Sequence, residues 1–203
     1  SQAFMYEAIA GFGLGLSLIM AVGAQNVFVL RQGILRSNVL LVCLTCAISD
    51  AVLISAGIGG FAWASSTIAW LEPFLRVGGA VFLLFYGGLS AYRAFWQNGV
   101  VDFDGPEPVS SALAAFSTCL ALTWLNPHVY LDNVVLIGSL STQYDSRAAF
   151  AIGAVLASFA FFLTLGYGAG RLAPIFEKAR AWAAVDAAAA LIMWGIAVKL
   201  LLG

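Results

Sequence analysis

The sequence predicts an all-α integral membrane protein of six transmembrane helices, arranged as two inverted three-helix repeats whose first helices are broken. Three observations carry that expectation. Of the 203 residues, 62% are apolar and only 9% charged, with a mean hydropathy of +0.96, whereas a soluble domain carries roughly 45–50% apolar residues. Apolar runs near or above the ~20 residues that a helix needs to cross the hydrocarbon core recur along the chain, leaving no stretch for a separate soluble domain, so residues 1–203 read as one transmembrane unit. Two of these runs are overlong and interrupted, at corresponding places in the two halves.

Hydropathy, with breaks at charge and Pro/Gly clusters, places the spans at 4–30, 38–63, 74–96, 111–141, 148–170 and 182–202. The first has Glu7 near its beginning and no basic start, which suits a retained span better than a signal peptide. It is overlong, and "GAQN" at 23–26 interrupts it with Gly23 and two amides. The second carries Asp50 near its middle, and no span contains a central Lys or Arg, so a cavity there would favour positive charge. The fourth is 31 residues long, about 46 Å as straight helix against a hydrocarbon thickness of about 30 Å. Pro127 gives it reason to break, because proline lacks a backbone donor and pushes Asn126 out of helical geometry. The connections, among them "RQGILRS" after the first span and "RLAPIFEKARA" after the fifth, are too short to fold alone.

Formal charge is −1 with nine scattered Lys and Arg residues, so neither a nucleic-acid face nor an acidic tail is available. Counting basic residues on alternate connections puts Arg31, Arg36, Arg93, Arg171, Lys178 and Arg180 on one side and Arg76, Arg147 and Lys199 on the other. The first set is expected to be cytoplasmic, with both termini outside. A five-span arrangement with one re-entrant segment would relocate a terminus.

The internal repeat is weak. "CAISDAVLISAG" (46–57) lies over "VLASFAFFLTLG" (155–166) with Ser49 on Ser158, and "LLFYGG" (83–88) over "LIMWGI" (191–196) with Gly87 on Gly195. "AQN" (24–26) faces "LNP" (125–127) in the first spans. The halves would be about 1–97 and 110–203. Three spans each is an odd number, so the second half would be inverted.

Asp50 and Asp132 need a reason, since an ionised carboxylate at mid-membrane costs at least ~2.5–3.5 kcal/mol. Each either hydrogen-bonds a neighbour and fixes helix packing, or faces a wet cavity and holds a cation or proton. Gln25, Asn26, Asn126 and Tyr130 supply uncharged donors and acceptors suited to a polar organic ligand. Trp124 can stack on a cation or simply pack. His128, the only histidine, can relay protons next to Asp132 or cap a carbonyl beside the helix break. Cys43 and Cys46 make half of a soft-metal site at most, and packing accounts for them. Gly11-x-x-x-Gly15 and Gly166-x-x-x-Gly170 permit close helix approach within or between subunits, so a homo-oligomer is open. "GFGLG" lacks the context of a dinucleotide site; no cofactor is expected.

Together "GAQNVFVLRQGI" (23–34), "CAISD" (46–50), "TWLNPHVYLD" (123–132), the "GSL" after the fourth span and the final "AVKLLLG" resemble the LysE family of basic amino acid exporters, across essentially the whole chain. The resemblance implies a bacterial inner-membrane exporter of L-lysine, L-arginine or both, with Asp50 and Asp132 important for transport. Ala24 stands where many members carry proline, and the 97–110 loop is shorter than in some relatives. Physically, moving a +1 amino acid outward against an inside-negative potential costs ~2.3 kcal/mol per 100 mV, which one inward proton cancels. The expected cycle is competition of substrate and proton for the Asp50/Asp132 site, exposed alternately by rocking halves. Open alternatives are export of a neutral amino acid or divalent metal, a passive channel, and an intramembrane serine hydrolase using Ser90 with His128 as base.

Overall fold

The computed structural model describes residues 1–20, 24–96, 107–176 and 178–203, and every regular element among them is helical. The expected first span is two helices, α1 (Gln2–Ile19) and α2 (Ala24–Leu35). α2 starts at Ala24, so Gln25 and Asn26 lie in its first turn; Gly23, expected to break the helix, lies outside the described residues. "RQGILRS" is not wholly a connection, because α2 runs through Leu35. Arg36 and Asn38 then adopt left-handed backbone (φ 56° and 54°), a conformation Asn tolerates better than most residues. The tight turn leads into α3 (Val39–Thr67), and α4 (Leu71–Trp96) follows three residues later.

The expected fourth span is also discontinuous. α5 (Ala112–Trp124), capped by the Ser111 hydroxyl accepting from Ala114 N–H, ends at Leu125. A short α6 (Pro127–Val129), a π-helical stretch (Tyr130–Leu136) and α7 (Ile137–Ser141) continue it. Asn126 manages the proline break: its carboxamide oxygen accepts from His128 N–H at 3.0 Å, so a side chain takes over a helical acceptor role. In the wider stretch Ile137 N–H donates to Asp132 C=O, five residues back, the bonding of a π-helix. α8 (Arg147–Tyr167), α9 (Ala169–Phe176) and α10 (Ala179–Leu202) complete the chain.

Five helices, α1, α3, α4, α8 and α10, are long and apolar enough to cross a membrane, and α5 is a shorter apolar helix. The protein is therefore all-α and multi-pass. Of the six expected spans, 111–141 supplies no single helix of that length, because the proline and the π-helical widening divide it.

α1 packs along α8, α4 along α10, and α3 crosses α8, while the run 127–141 packs on α3. Glycines set the closest approaches. A Cβ at Gly11 would strike the Phe150 backbone and one at Gly153 the Ala8 backbone, so Gly11 and Gly15 serve helix contact within the chain. A Cβ at Gly33 would strike the Gly166 carbonyl, whereas Gly170 faces open space. A Cβ at Gly138 would lie 2.7 Å from the Gly57 backbone carbon. Each interrupted run thus lays a glycine against a glycine of a long helix remote in sequence.

Contacts at the two ends separate the connections. At one, Glu7 binds Ser146 N–H, Gln143 donates to Glu72 C=O, and the Lys199 ammonium sits 4.0 Å and 4.6 Å from the Tyr6 and Tyr144 ring centroids. At the other, Asn38 donates to Ser110 C=O, Gln32 exchanges hydrogen bonds with the Val109 backbone, and Arg31 pairs with Glu107. Residues 111–141 run from the second end to the first.

Two apolar clusters fill the interior. One gathers Leu14, Ile54, Leu83, Leu136, Ile137, Phe150, Ala154 and Met193; the other Phe28, Val42, Cys43, Cys46, Cys119, Phe162 and Leu165. Along α3, Asp50 falls between Ala47 of the second and Ile54 of the first; along α8, Ser158 falls between Ala154 and Phe162.

Candidate functional site

Asp50 is the twelfth of the 29 residues of α3, about 17 Å along it at ~1.5 Å per residue, and is 3% exposed. Both carboxylate oxygens are bound. Asn133 Nδ2 donates to Oδ1 at 2.9 Å and Ser158 Oγ to Oδ2 at 2.6 Å. One donor comes from the π-helical stretch and the other from α8, so the carboxylate ties three elements where the two apolar clusters divide. A buried carboxylate has to be hydrogen-bonded or paired to be tolerated.

Asp132 belongs to the same π-helical stretch and lies within electrostatic reach of Asp50. The i→i+5 winding brings consecutive residues inward together: Asp132 and Asn133 are both buried, at 8% and 4% exposed. His128 Nε2 stands 3.3 Å from Asp132 Oδ2 and 3.0 Å from the Tyr86 hydroxyl of α4. Two carboxylates within electrostatic reach repel unless a cation or proton is shared between them.

The helix breaks meet beside this centre. Gln25, in the first turn of α2, donates at 2.8 Å to the Oγ1 of Thr123, the penultimate residue of α5. Trp124 Nε1 donates to Ser49 Oγ at 3.1 Å, and the Tyr130 hydroxyl donates to Trp124 C=O at 2.8 Å, across the second break. Trp124 and Tyr130 also meet edge to face.

The expected residues accordingly divide. Asp50 and Asp132 form the centre, with His128 on Asp132; Trp124, Tyr130, Asn126 and Gln25 surround the breaks. Asn26 turns its amide to the Ile19 carbonyl at 2.8 Å, closing the end of α1. Pro127 opens α6. Ser90 accepts from Arg93 Nη2 at 2.9 Å, while His128 Nε2 faces Tyr86 and Asp132, so the hydrolase pairing of Ser90 with His128 is not met. Among the described residues no group of three or more His, Cys, Asp or Glu could hold a metal ion.

Four partners escaped the sequence reading. Asn133 was masked by its neighbour Asp132, and Tyr86 is one aromatic among many. Asp186, paired with Arg93 at 3.1 Å, was discoverable as a further acidic residue inside an expected span. Ser158 had a signal in its alignment with Ser49.

No solved structure matches the chain. A protein named "Putative amino-acid transporter Rv0488" from Mycobacterium tuberculosis (strain ATCC 25618 / H37Rv) is 44% identical over 188 residues, 92% of each chain. "Arginine exporter protein ArgO" of Pectobacterium carotovorum subsp. carotovorum (strain PC1) is 41% identical over 194 residues, 95% of each. Its namesake in Salmonella enteritidis PT4 (strain P125109) is 40% identical over 192 residues, 94% of this chain and 90% of the other. Residues 16–203 match the family described as LysE type translocator, and with these relatives matched over nine-tenths of its length, the chain belongs to that family.

Proposed function

We propose that this chain exports a basic amino acid, L-arginine or L-lysine, across the bacterial inner membrane as a secondary transporter in exchange for protons. It is a translocator and not an enzyme. The observation that carries the substrate class is the pair Asp50 and Asp132, both buried, with no Lys or Arg bound to either among the described residues and only the His128 imidazole against Asp132. Relatives named as arginine exporters, matched over more than nine-tenths of the chain, point the same way.

In this reading the α-ammonium or side-chain cation of the substrate occupies the carboxylate pair. Gln25, Asn126, Tyr130 and Trp124 line the approach, where helix ends leave backbone groups free to meet a carboxylate or an amide. A proton arriving from outside neutralises the pair and releases the cation; substrate from inside expels the proton. Asn133 and Ser158 hold Asp50 in place during both halves of the cycle.

The broken run 111–141 acts as the sixth crossing. Reciprocal glycine contacts, Gly33 on Gly166 and Gly138 on Gly57, support two inverted halves that rock against each other. Basic residues favour a cytoplasmic placement of the end bearing Arg31, Arg36 and Arg171.

The test is efflux of labelled L-arginine from proteoliposomes with the membrane potential clamped. An inward proton gradient should accelerate efflux severalfold. Efflux indifferent to the gradient would remove proton exchange from the account while leaving the substrate class standing.

A further inference from the structure

One nitrogen in the centre faces two partners whose demands on it conflict. His128 Nε2 is 3.0 Å from the Tyr86 hydroxyl and 3.3 Å from Asp132 Oδ2. A ring nitrogen carrying hydrogen donates one bond, and a bare ring nitrogen accepts one. With hydrogen on Nε2, the nitrogen donates to the Asp132 carboxylate and the Tyr86 hydroxyl has no acceptor there. With Nε2 bare and Asp132 ionised, the nitrogen needs a donor, and the only one the geometry supplies among the described residues is Tyr86 O–H.

From this juxtaposition we infer that Tyr86 is a positioning residue for the exchange: its hydroxyl holds the imidazole of His128 when the proton has left the His128–Asp132 pair. The inference rests on the proton-exchange reading above and deepens it. When a substrate cation replaces the proton beside Asp132, the displaced proton leaves through the bare-nitrogen state. Tyr86 stabilises that state by one hydrogen bond and thereby favours the exchange.

The surroundings fit the role. Tyr86 is held by its ring, which stacks on Phe82 (centroids 5.8 Å, interplanar angle 17°) and leans on the imidazole (6.2 Å, 36°). One turn and two turns further along α4 stand Ser90 and Arg93, and Arg93 binds Asp186 of α10. The charged groups that act on Tyr86 are therefore Asp132 on one side and the Arg93–Asp186 pair on the other. Beyond Asp132 stands Asp50. The hydroxyl also links the site to α4, which packs along α10, so protonation of one imidazole is transmitted to the helix pair outside the centre.

The chain has one histidine, so its imidazole signal needs no assignment. The experiment is nitrogen NMR of ¹⁵N-histidine-labelled full-length protein in detergent, purified without a histidine tag, across a pH titration. Native protein should show neutral imidazole with a hydrogen-bonded, bare Nε2. Tyr86→Phe keeps the ring stack and removes the donor. It should move the Nε2 signal toward that of an unbonded nitrogen, and shift the titration midpoint upward by about 0.4–1.1 pH units, the equivalent of one net hydrogen bond.

An unchanged Nε2 signal and midpoint in Tyr86→Phe would overturn the inference. Should Tyr86→Phe fail to fold, native protein alone decides: neutral imidazole with hydrogen on Nε2 and a bare Nδ1 contradicts it. Because the readout needs no substrate, failure of proton exchange in vesicles with a positive NMR result would refute the transport reading while leaving the Tyr86–His128 contact intact. The reverse result would refute the role of Tyr86 alone.

Discussion

Removing the Ser158 hydroxyl is the most informative small perturbation of the site. Ser158 is fully buried, and its Oγ lies 2.6 Å from Asp50 Oδ2, within the range of a charge-assisted bond to a carboxylate. Ser158→Ala takes away one of the two donors and leaves Asn133 as the other. Hydrogen bonds to charged groups contribute about 1.5–3 kcal/mol, so the charged carboxylate loses that much relative to its neutral form. At 1.4 kcal/mol per decade, cation binding should weaken about ten- to a hundredfold. The assay is the concentration dependence of L-arginine counterflow in proteoliposomes holding equal amounts of native and variant protein. Thr45→Ala on α3 is the control, because the Thr45 hydroxyl binds its own helix at Leu41 C=O; half-saturation there should stay within about twofold. If Ser158→Ala also stayed within twofold, Asp50 would not be a cation site and the reasoning would fail.

Further expectations concern packing and the end contacts. Gly138→Ala pushes a methyl into the Gly57 backbone and should destabilise the protein in detergent by about 1–3 kcal/mol, seen as a lowered midpoint of thermal unfolding. Gly195→Ala, with no neighbour inside 4 Å, should be neutral or raise the midpoint, since alanine is favoured over glycine in helix by about 1 kcal/mol. Glu7 accepts from Ser146 N–H through both oxygens at 3.2 Å at the start of α8, where negative charge complements the helix dipole. Glu7→Gln should cost about 1 kcal/mol of stability and leave arginine half-saturation unchanged; an altered half-saturation would bring Glu7 into the transport path.

The membrane class and the two aspartates were legible because the bilayer makes charge rare: in a chain with ten acidic residues, those in mid-span stand out. Pro127 was legible for a similar reason, since it removes a donor that hydrocarbon cannot replace. The π-helical winding after it was not, because it depends on how Asp132 and Asn133 reach α3 and not on local propensity. Asn133 was consequently missed beside a residue already chosen. Asn26, an amide near a helix break, donates to the Ile19 carbonyl, a partner that no periodicity in the sequence names.

The end contacts were beyond sequence. Tyr144 is buried with no hydrogen-bond partner for its hydroxyl among the described residues, and burial first, then Tyr6 and Glu7, hold that phenol well above its usual range. Lys199 therefore meets a neutral aromatic ring, a cation–π contact, and no periodicity would have paired residues 6, 144 and 199.

The central claim is that Asp50 and Asp132 together hold the exchanged cation. It is tested most directly by counterflow of labelled L-arginine and L-lysine in proteoliposomes containing native protein, Asp50→Asn or Asp132→Asn, each checked for a native elution profile. The account predicts that native protein exchanges at least one of the two amino acids and that either substitution lowers the rate by at least a hundredfold. Transport retained in both variants would contradict it and move the cation site elsewhere.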